Sequence, residues 1–249
     1  MAESATGMID VSIQPGFFSS FVDAFNFIFH QQEGGGGTLV GGPAKVLELT
    51  WAQVQVSGLA LAGSLVIAVP IGAWFGHRGK GEFLAIGLGN AGRAVPEIAV
   101  IFLLAAVIGI GLRDVAIALA ILGIPPILTN TFVGVRQVDP RAVEAGRGMG
   151  MSELAVLTRV ELPLAVPTIM GGVRTAAINI VATATIASFV GYSTLGDFII
   201  NPQVYGTDGA LAGAILVALL ALAVELTLSG LQYLLTPRGL RLQHIGTGA

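Results

Sequence analysis

Residues 138–167 read VDPRAVEAGRGMGMSELAVLTRVELPLAVP, and they form a polar island in an apolar chain. Asp139, Arg141, Glu144, Arg147, Glu153, Arg159 and Glu161 crowd into it, while the flanks are mostly Leu, Ile, Val, Ala and Gly. Asp139 is placed to accept from the free N–H groups of a helix start, and Pro140 suits the first helical position. Gly150 can take the left-handed conformation that ends such a helix, and Ser152 can cap a second one. Pro163, with Pro167 behind it, marks the start of the next long helix. Two short helices joined by a turn between apolar spans stand at the membrane surface in water, in a shape suited to docking on another protein.

The composition carries the membrane reading. Of 249 residues, 54% are hydrophobic and 11% charged, against about 25% charged in a soluble domain. There is no Cys, hence no disulfide framework, thiolate metal site or cysteine nucleophile. The net charge is −3 and no basic run occurs, which argues against a nucleic-acid partner. The opening MAESATGMID lacks a basic stretch leading into an apolar core, so no cleaved signal peptide is expected. His30, His77 and His244 are far apart, with no H-E-x-x-H run, so no metal site and no catalytic residue is expected. No G-x-x-x-x-G-K-[ST] run occurs, so any ATP would be hydrolysed by another subunit.

Outward from the island, five apolar spans are expected. Before them, residues 1–48 form a mixed segment. Phe17, Phe18, Phe21, Phe25 and Phe29 recur near helical spacing, which predicts an amphipathic helix lying on the membrane surface or packed on the bundle. Gly34 to Gly37 predict a flexible link, and Gly41-Gly42-Pro43 a further break. The membrane domain is placed at 49–237 and a short tail at 238–249.

The spans fall at about 51–75, 83–112, 115–135, 164–190 and 210–235, each long enough for a hydrocarbon core of about 30 Å. Trp51 and Trp74 sit near the ends of the first, where indole favours the interface. Gly58 and Gly63 read as packing positions. The second is expected to be broken at Gly87, Gly89, Gly92 and Pro96. Arg93 and Glu97, four apart within it, either line a path or form a structural pair. In the third, Pro125 and Pro126 precede Asn130 and Thr131, which either line a path or bond a neighbouring helix. The fourth offers a small-residue surface of Gly171, Gly172, Ala176, Ala177, Ala182 and Ala184. In the fifth, Glu225 is expected to pair with another helix or to sit near the inner interface.

Basic residues choose the orientation. Arg78, Lys80, Arg136, Arg141, Arg147, Arg159, Arg238 and Arg241 fall on one side, and Lys45 and Arg113 on the other. The N-terminus is therefore expected outside, and the island and C-terminus in the cytoplasm.

Glu144-Ala145-Gly146, three residues, Gly150, nine residues, then Val160-Glu161-Leu162-Pro163 resembles the EAA loop of bacterial ABC importer permeases. In that family the pattern is Glu-Ala-Ala, three residues, Gly, nine residues, Ile-x-Leu-Pro. Gly146 and Val160 are the two departures, and the spacing is kept. Five spans with the loop between the third and fourth resemble the methionine-importer type. Gly92-Arg93-Ala94-Val95-Pro96, residues 122–132 and Val181-Ala182-Thr183-Ala184-Thr185 resemble most the glycine betaine, choline and proline (osmoprotectant) permeases. Gly191 to Asp197 resembles the glycine-rich stretch that follows the same helix in the family, with Tyr192, Ser193 and Thr194 where more glycine is common.

The resemblance implies an all-α polytopic protein of the bacterial inner membrane, with a cytoplasmic coupling helix between the third and fourth spans. It implies coupling through Glu144, Ala145, Gly146, Gly150, Leu162 and Pro163. The path candidates are Arg93, Pro96, Glu97, Asn130 and Thr131. The implied partners are cytoplasmic ATPase subunits that hold ATP and Mg, a second permease copy or paralogue, an extracytoplasmic substrate-binding protein and membrane lipid. The chain itself would bind no cofactor. Methionine, another amino acid or a sulfonate are alternative solutes. An ATP-independent channel or secondary carrier is a rival class, for which inverted repeats are not seen. An intramembrane enzyme would have only Arg93, Glu97 and Glu225 to work with.

Overall fold

The computed structural model describes residues 16–35, 37–83, 87 and 95–237. Arg93, Arg238 and Arg241 lie outside the described residues, as do Gly36, Gly89, Gly92 and His244. The elements are α1 (Phe17–Phe29), a hairpin of β1 (Gln31–Glu33) and β2 (Leu39–Gly41), α2 (Gly42–Arg78) and α3 (Glu97–Ile108). They continue with α4 (Leu112–Arg136), α5 (Pro140–Gly148), α6 (Glu153–Val156), α7 (Leu162–Ala184), α8 (Gly196–Ile200) and α9 (Pro202–Leu235). Among the described residues four helical stretches are long and apolar enough to cross a membrane: Gly42–Arg78, Leu112–Arg136, Glu153–Val190 and Pro202–Leu235. They contain the expected first, third, fourth and fifth spans. Within the expected second span, of which residues 84–86 and 88–94 lie outside the described ones, α3 has 12 residues and follows extended backbone at Pro96. That is the expected proline break, with a helix too short to cross alone at about 1.5 Å per residue.

α2 and α4 make the most extensive helix contact among the described residues. Ala60, Ser64, Ala68, Gly72 and Gly76, each four residues from the next, are all buried on one face of α2. The absence of side-chain bulk lets the backbones meet: a Cβ on Gly72 would lie 2.8 Å from the Leu128 carbonyl oxygen, and one on Gly76 2.8 Å from that of Phe132. Ser64 Oγ satisfies itself by donating across the interface to the Ala120 carbonyl, at 2.8 Å. α7 then packs on α4 through the same device, with Gly172 set against Pro126 and Asn130, and Gly134 against Ala165 and Thr168. Small residues at such contacts are the usual solution in lipid, where apolar side chains gain nothing by leaving apolar surroundings. Of the glycines expected to pack, Gly172 does so and Gly63 touches Ala120, but Gly58 and Gly171 have nothing within 4 Å of a built Cβ.

The N-terminal segment differs from a simple link. Gln31 pairs with Gly41 and Glu33 with Leu39 in an antiparallel hairpin. Its turn is seated on the start of α9, where Gly35 N–H donates to the Val204 carbonyl at 3.0 Å. A Cβ on Gly34 would lie 2.4 Å from that same oxygen, so glycine here serves close approach rather than freedom. α1 packs on the bundle by one face and leaves the other uncovered. Phe18, Phe25 and Phe29 are more than half exposed, while Phe27, outside the expected set, is fully buried. Phe27 meets Phe198 edge-on, with ring centroids 5.2 Å apart.

The stretch after α7 is also more than a turn. Thr194 is fully buried; its hydroxyl donates to the Ala184 carbonyl at 3.1 Å and accepts from Gly196 N–H at 3.2 Å. Gln53 of α2, also fully buried, donates to the Val181 carbonyl at 2.8 Å and accepts from Leu195 N–H at 3.2 Å. One amide side chain thereby ties α2, α7 and this loop together.

Two outcomes are expected. Gly72→Val forces a side chain into the Leu128 and Thr131 backbone region and lowers stability by about 1–3 kcal/mol or more, read as a lower melting temperature and less monodisperse protein in detergent. Gln53→Leu strands a buried N–H and a buried carbonyl and costs about 1–3 kcal/mol, visible in the same thermal assay.

Candidate functional site

The polar island folds as an elbow at the end of the bundle where α2 and α4 finish. Asp139 Oδ1 accepts from Arg141 N–H at 2.9 Å and Pro140 takes the first position of α5. α5 ends at Gly148, and Gly150 has φ +81°, the left-handed region that glycine enters without a Cβ penalty. Ser152 Oγ then accepts from Ala155 N–H at 3.3 Å to start α6. The expected caps and the turn are thus all formed.

The second short helix, however, is not separate. α6 runs through a wide π turn at Leu157–Glu161 directly into α7. Pro163 has no N–H and crowds the preceding turn; the five-residue π turn just before it loosens that turn, so the helix widens instead of stopping. The elbow is therefore rigidly continuous with a membrane span.

Side chains lock the elbow to α2. His77, near the end of α2, has Nδ1 2.6 Å from Glu161 Oε2 and Nε2 3.1 Å from Glu153 Oε2. The His77 and Glu161 side chains are only 4% and 6% exposed. Glu153 also accepts two hydrogen bonds from Arg147 of α5, from Nε at 3.0 Å and Nη2 at 2.9 Å. That paired carboxylate holds the Arg147 guanidinium above its ordinary range. Being exposed, the Arg147 pair orients more than it stabilises. The chain of contacts runs α5, α6, π turn, α2.

The expected coupling residues come together here. Glu144 and Ala145 are exposed on α5, Gly146 is buried beneath them, and Leu162 and Pro163 are half-buried at the start of α7. A polar cleft of about 170 Å³ lies between the ends of α2, α4 and α5, with His77, Arg136, Glu144, Arg147 and Glu161 on its walls. A Cβ on Gly146 would meet Met151 Sδ at 3.4 Å and Val160 at 3.5 Å, which is ordinary contact.

The path candidates do not form one cluster among the described residues. Glu97 and Pro96 are exposed at the start of α3, and Glu97 accepts from Thr183 of α7 at 2.5 Å. Asn130 donates to the Pro126 carbonyl at 2.8 Å and lies against Gly172. Thr131 is fully buried against Gly72 of α2, and its hydroxyl has no partner among the described residues. Glu225 finds the partner expected of it on another helix: Arg174 of α7, whose Nη1 also donates to Gln232 at 3.1 Å. Arg174 escaped the sequence reading. The signal was there, since it is a lone arginine in an apolar span, as conspicuous as Glu225. The roles of His77 and Gln53 had no comparable signal, because their partners are 84 and 128 residues away.

The model of the family described as binding-protein-dependent transport system inner membrane component matches residues 68–240, more than half of the chain. A carnitine transport permease protein, OpuCB, of Listeria monocytogenes is 40% identical over 198 residues, 79% of this chain and 91% of the relative. The choline transport system permease protein OpuBB of Bacillus subtilis (strain 168) is 34% identical over the same shares of both chains. The osmoprotectant import permease protein OsmW of Salmonella typhimurium is 32% identical over 200 residues, 78% of this chain and 93% of its own. Among solved structures, an inward-facing MetNI methionine ABC transporter matches with TM-score 0.66 at 20% identity, over 77% of this chain and 96% of that one. This last likeness concerns the fold alone.

Gly146→Ala is expected to be tolerated and to raise stability by about 0.5–1 kcal/mol, because the methyl finds ordinary contacts and alanine favours the helix. Gly146→Leu is expected to lift α5 off the π turn. Thermal unfolding of the two variants, run side by side, checks both signs.

Proposed function

The chain belongs to the binding-protein-dependent transport system inner membrane component family and is the permease subunit of an ABC importer, and from that premise we propose that it carries a compatible solute such as glycine betaine, choline, carnitine or proline. It is a multi-pass inner-membrane protein and not an enzyme; ATP is hydrolysed on a separate subunit, and a substrate-binding protein delivers the solute. Relatives of 32–40% identity named for carnitine, choline and osmoprotectant transport support this choice of solute.

The observation that carries the coupling role is the elbow's wiring. Exposed Glu144 stands on α5, and α5 is joined through Arg147, Glu153, Glu161 and His77 to the end of α2. The elbow is also covalently continuous with α7. In our reading a cytoplasmic ATPase, holding ATP and Mg, grips α5 at Glu144, Ala145 and Gly150 and turns the elbow as its two subunits close. Leu162 and Pro163 pass the rotation to α7, and His77 passes it to α2. ATP acts by binding one state better than the other, so the pore alternates between two arrangements. A second copy or a paralogue supplies the other half of the pore. The excess of basic residues at the elbow end supports a cytoplasmic elbow and C-terminus, with the N-terminus outside. Pro96, Glu97, Asn130 and Thr131, with Arg93, are the positions we assign to the path.

The test uses the permease reconstituted in proteoliposomes with its ATPase and binding protein. Glu144→Lys reverses the charge offered to the ATPase, and Gly150→Val puts a side chain where left-handed backbone costs about 1–2 kcal/mol. Each variant is expected to stay in the membrane while ATP-driven uptake falls at least tenfold. Wild-type uptake by both variants would remove the coupling role.

A further inference from the structure

Arg174 and Glu225 are two charges inside the spans that the coupling account leaves unused. Arg174 lies 12 residues into α7 and Glu225 ten residues before the end of α9, about 18 Å and 15 Å along their helices. Both are therefore well inside a hydrocarbon layer of about 30 Å. Charges at that depth persist where they face protein or a wet cavity, and they mark solute pathways. The pair is not sealed: its side chains are 33% and 24% exposed. Nor is it complete, since Arg174 Nε and Glu225 Oε2 are both covered without a hydrogen-bond partner among the described residues.

Next along α7 and α9 is an empty space, whose lining begins three residues from Arg174 and one from Glu225. A cavity of about 130 Å³ between α2, α7 and α9 is lined by Val54, Ser57, Gly58, Ala177, Leu220 and Val224, nearly all apolar. Ala177 is one turn from Arg174, and Val224 adjoins Glu225. Ser57, 7% exposed, adds to these walls a hydroxyl with no partner among the described residues. An apolar chamber next along the helices from an arginine–glutamate pair suits a small zwitterion whose cationic end is wrapped in methyl groups. A quaternary ammonium has no N–H to donate, so it needs apolar walls and a nearby negative charge rather than hydrogen-bond acceptors.

We propose that this chamber is a solute site within the permease: Arg174 takes the solute carboxylate, Glu225 neutralises the ammonium, and the methyl groups fill the space around Gly58. The proposal rests on the compatible-solute reading above and gives it a place in the membrane. Binding would exchange the Arg174–Glu225 contact for two contacts to solute, so an empty site stays electrically neutral.

The experiment compares uptake of glycine betaine and choline in proteoliposomes holding the permease, its ATPase and its binding protein. A Cβ at Gly58 would meet nothing within 4 Å and Gly58 lines the cavity, so Gly58→Leu is expected to fill the chamber while leaving the fold in place. It is expected to keep or raise the melting temperature while lowering uptake of both solutes at least tenfold. Arg174→Gln is expected to lower glycine betaine uptake at least tenfold and to spare choline, which has no carboxylate. The double variant Arg174→Met/Glu225→Met removes the pair without leaving a lone buried charge and is expected to lose both. Wild-type uptake by Gly58→Leu or by the double variant overturns the site, as does an equal loss of both solutes in Arg174→Gln. Should Arg174→Gln not fold, Gly58→Leu decides. If the wild-type assembly takes up neither solute, the compatible-solute reading itself has failed, a result distinct from the others.

Discussion

Backbone-to-backbone approach of α2 and α4 is the constraint on which the other parts depend. In lipid the drive to hide apolar side chains is weak, so helices associate through dense contact and cross-helix hydrogen bonds. The ladder from Ala60 to Gly76 supplies the contact, and Ser64 supplies one of the bonds. Because Gly72 and Gly76 leave no gap, α2 cannot slide along α4 without a steric collision. That registers the end of α2, and with it His77, against the end of α4 where the elbow begins.

From there the architecture is a sequence of rigid joints. The π turn keeps α6 and α7 in one piece despite Pro163, and the His77–Glu161 contact fixes that piece to α2. At the opposite end Gln53 and Thr194 bind α2, α7 and the following loop through buried hydrogen bonds. Polar groups at both ends of α7 are thus held by neighbours, while at its middle Arg174, paired with Glu225 of α9, stays partly exposed. The outer helix α9 has a non-helical break at Gly206 (φ 69°) near its start.

Read alone, the chain determined its membrane class, its helical nature and the placement of its polar elbow, because hydropathy, spacing and capping chemistry are local properties. Asp139, Pro140, Gly150 and Ser152 each do what their residue type requires of a helix end, and the structure needed nothing distant to set them. Tertiary structure alone decided which polar residues meet. Gln53 could not be matched with Val181 and Leu195, nor His77 with Glu161, from spacing, since helices must first pack for such partners to face each other. It also decided which glycines matter: Gly72, Gly76 and Gly172 carry a contact while Gly58 opens a chamber, a difference set by what lies across the interface and not by the glycine itself.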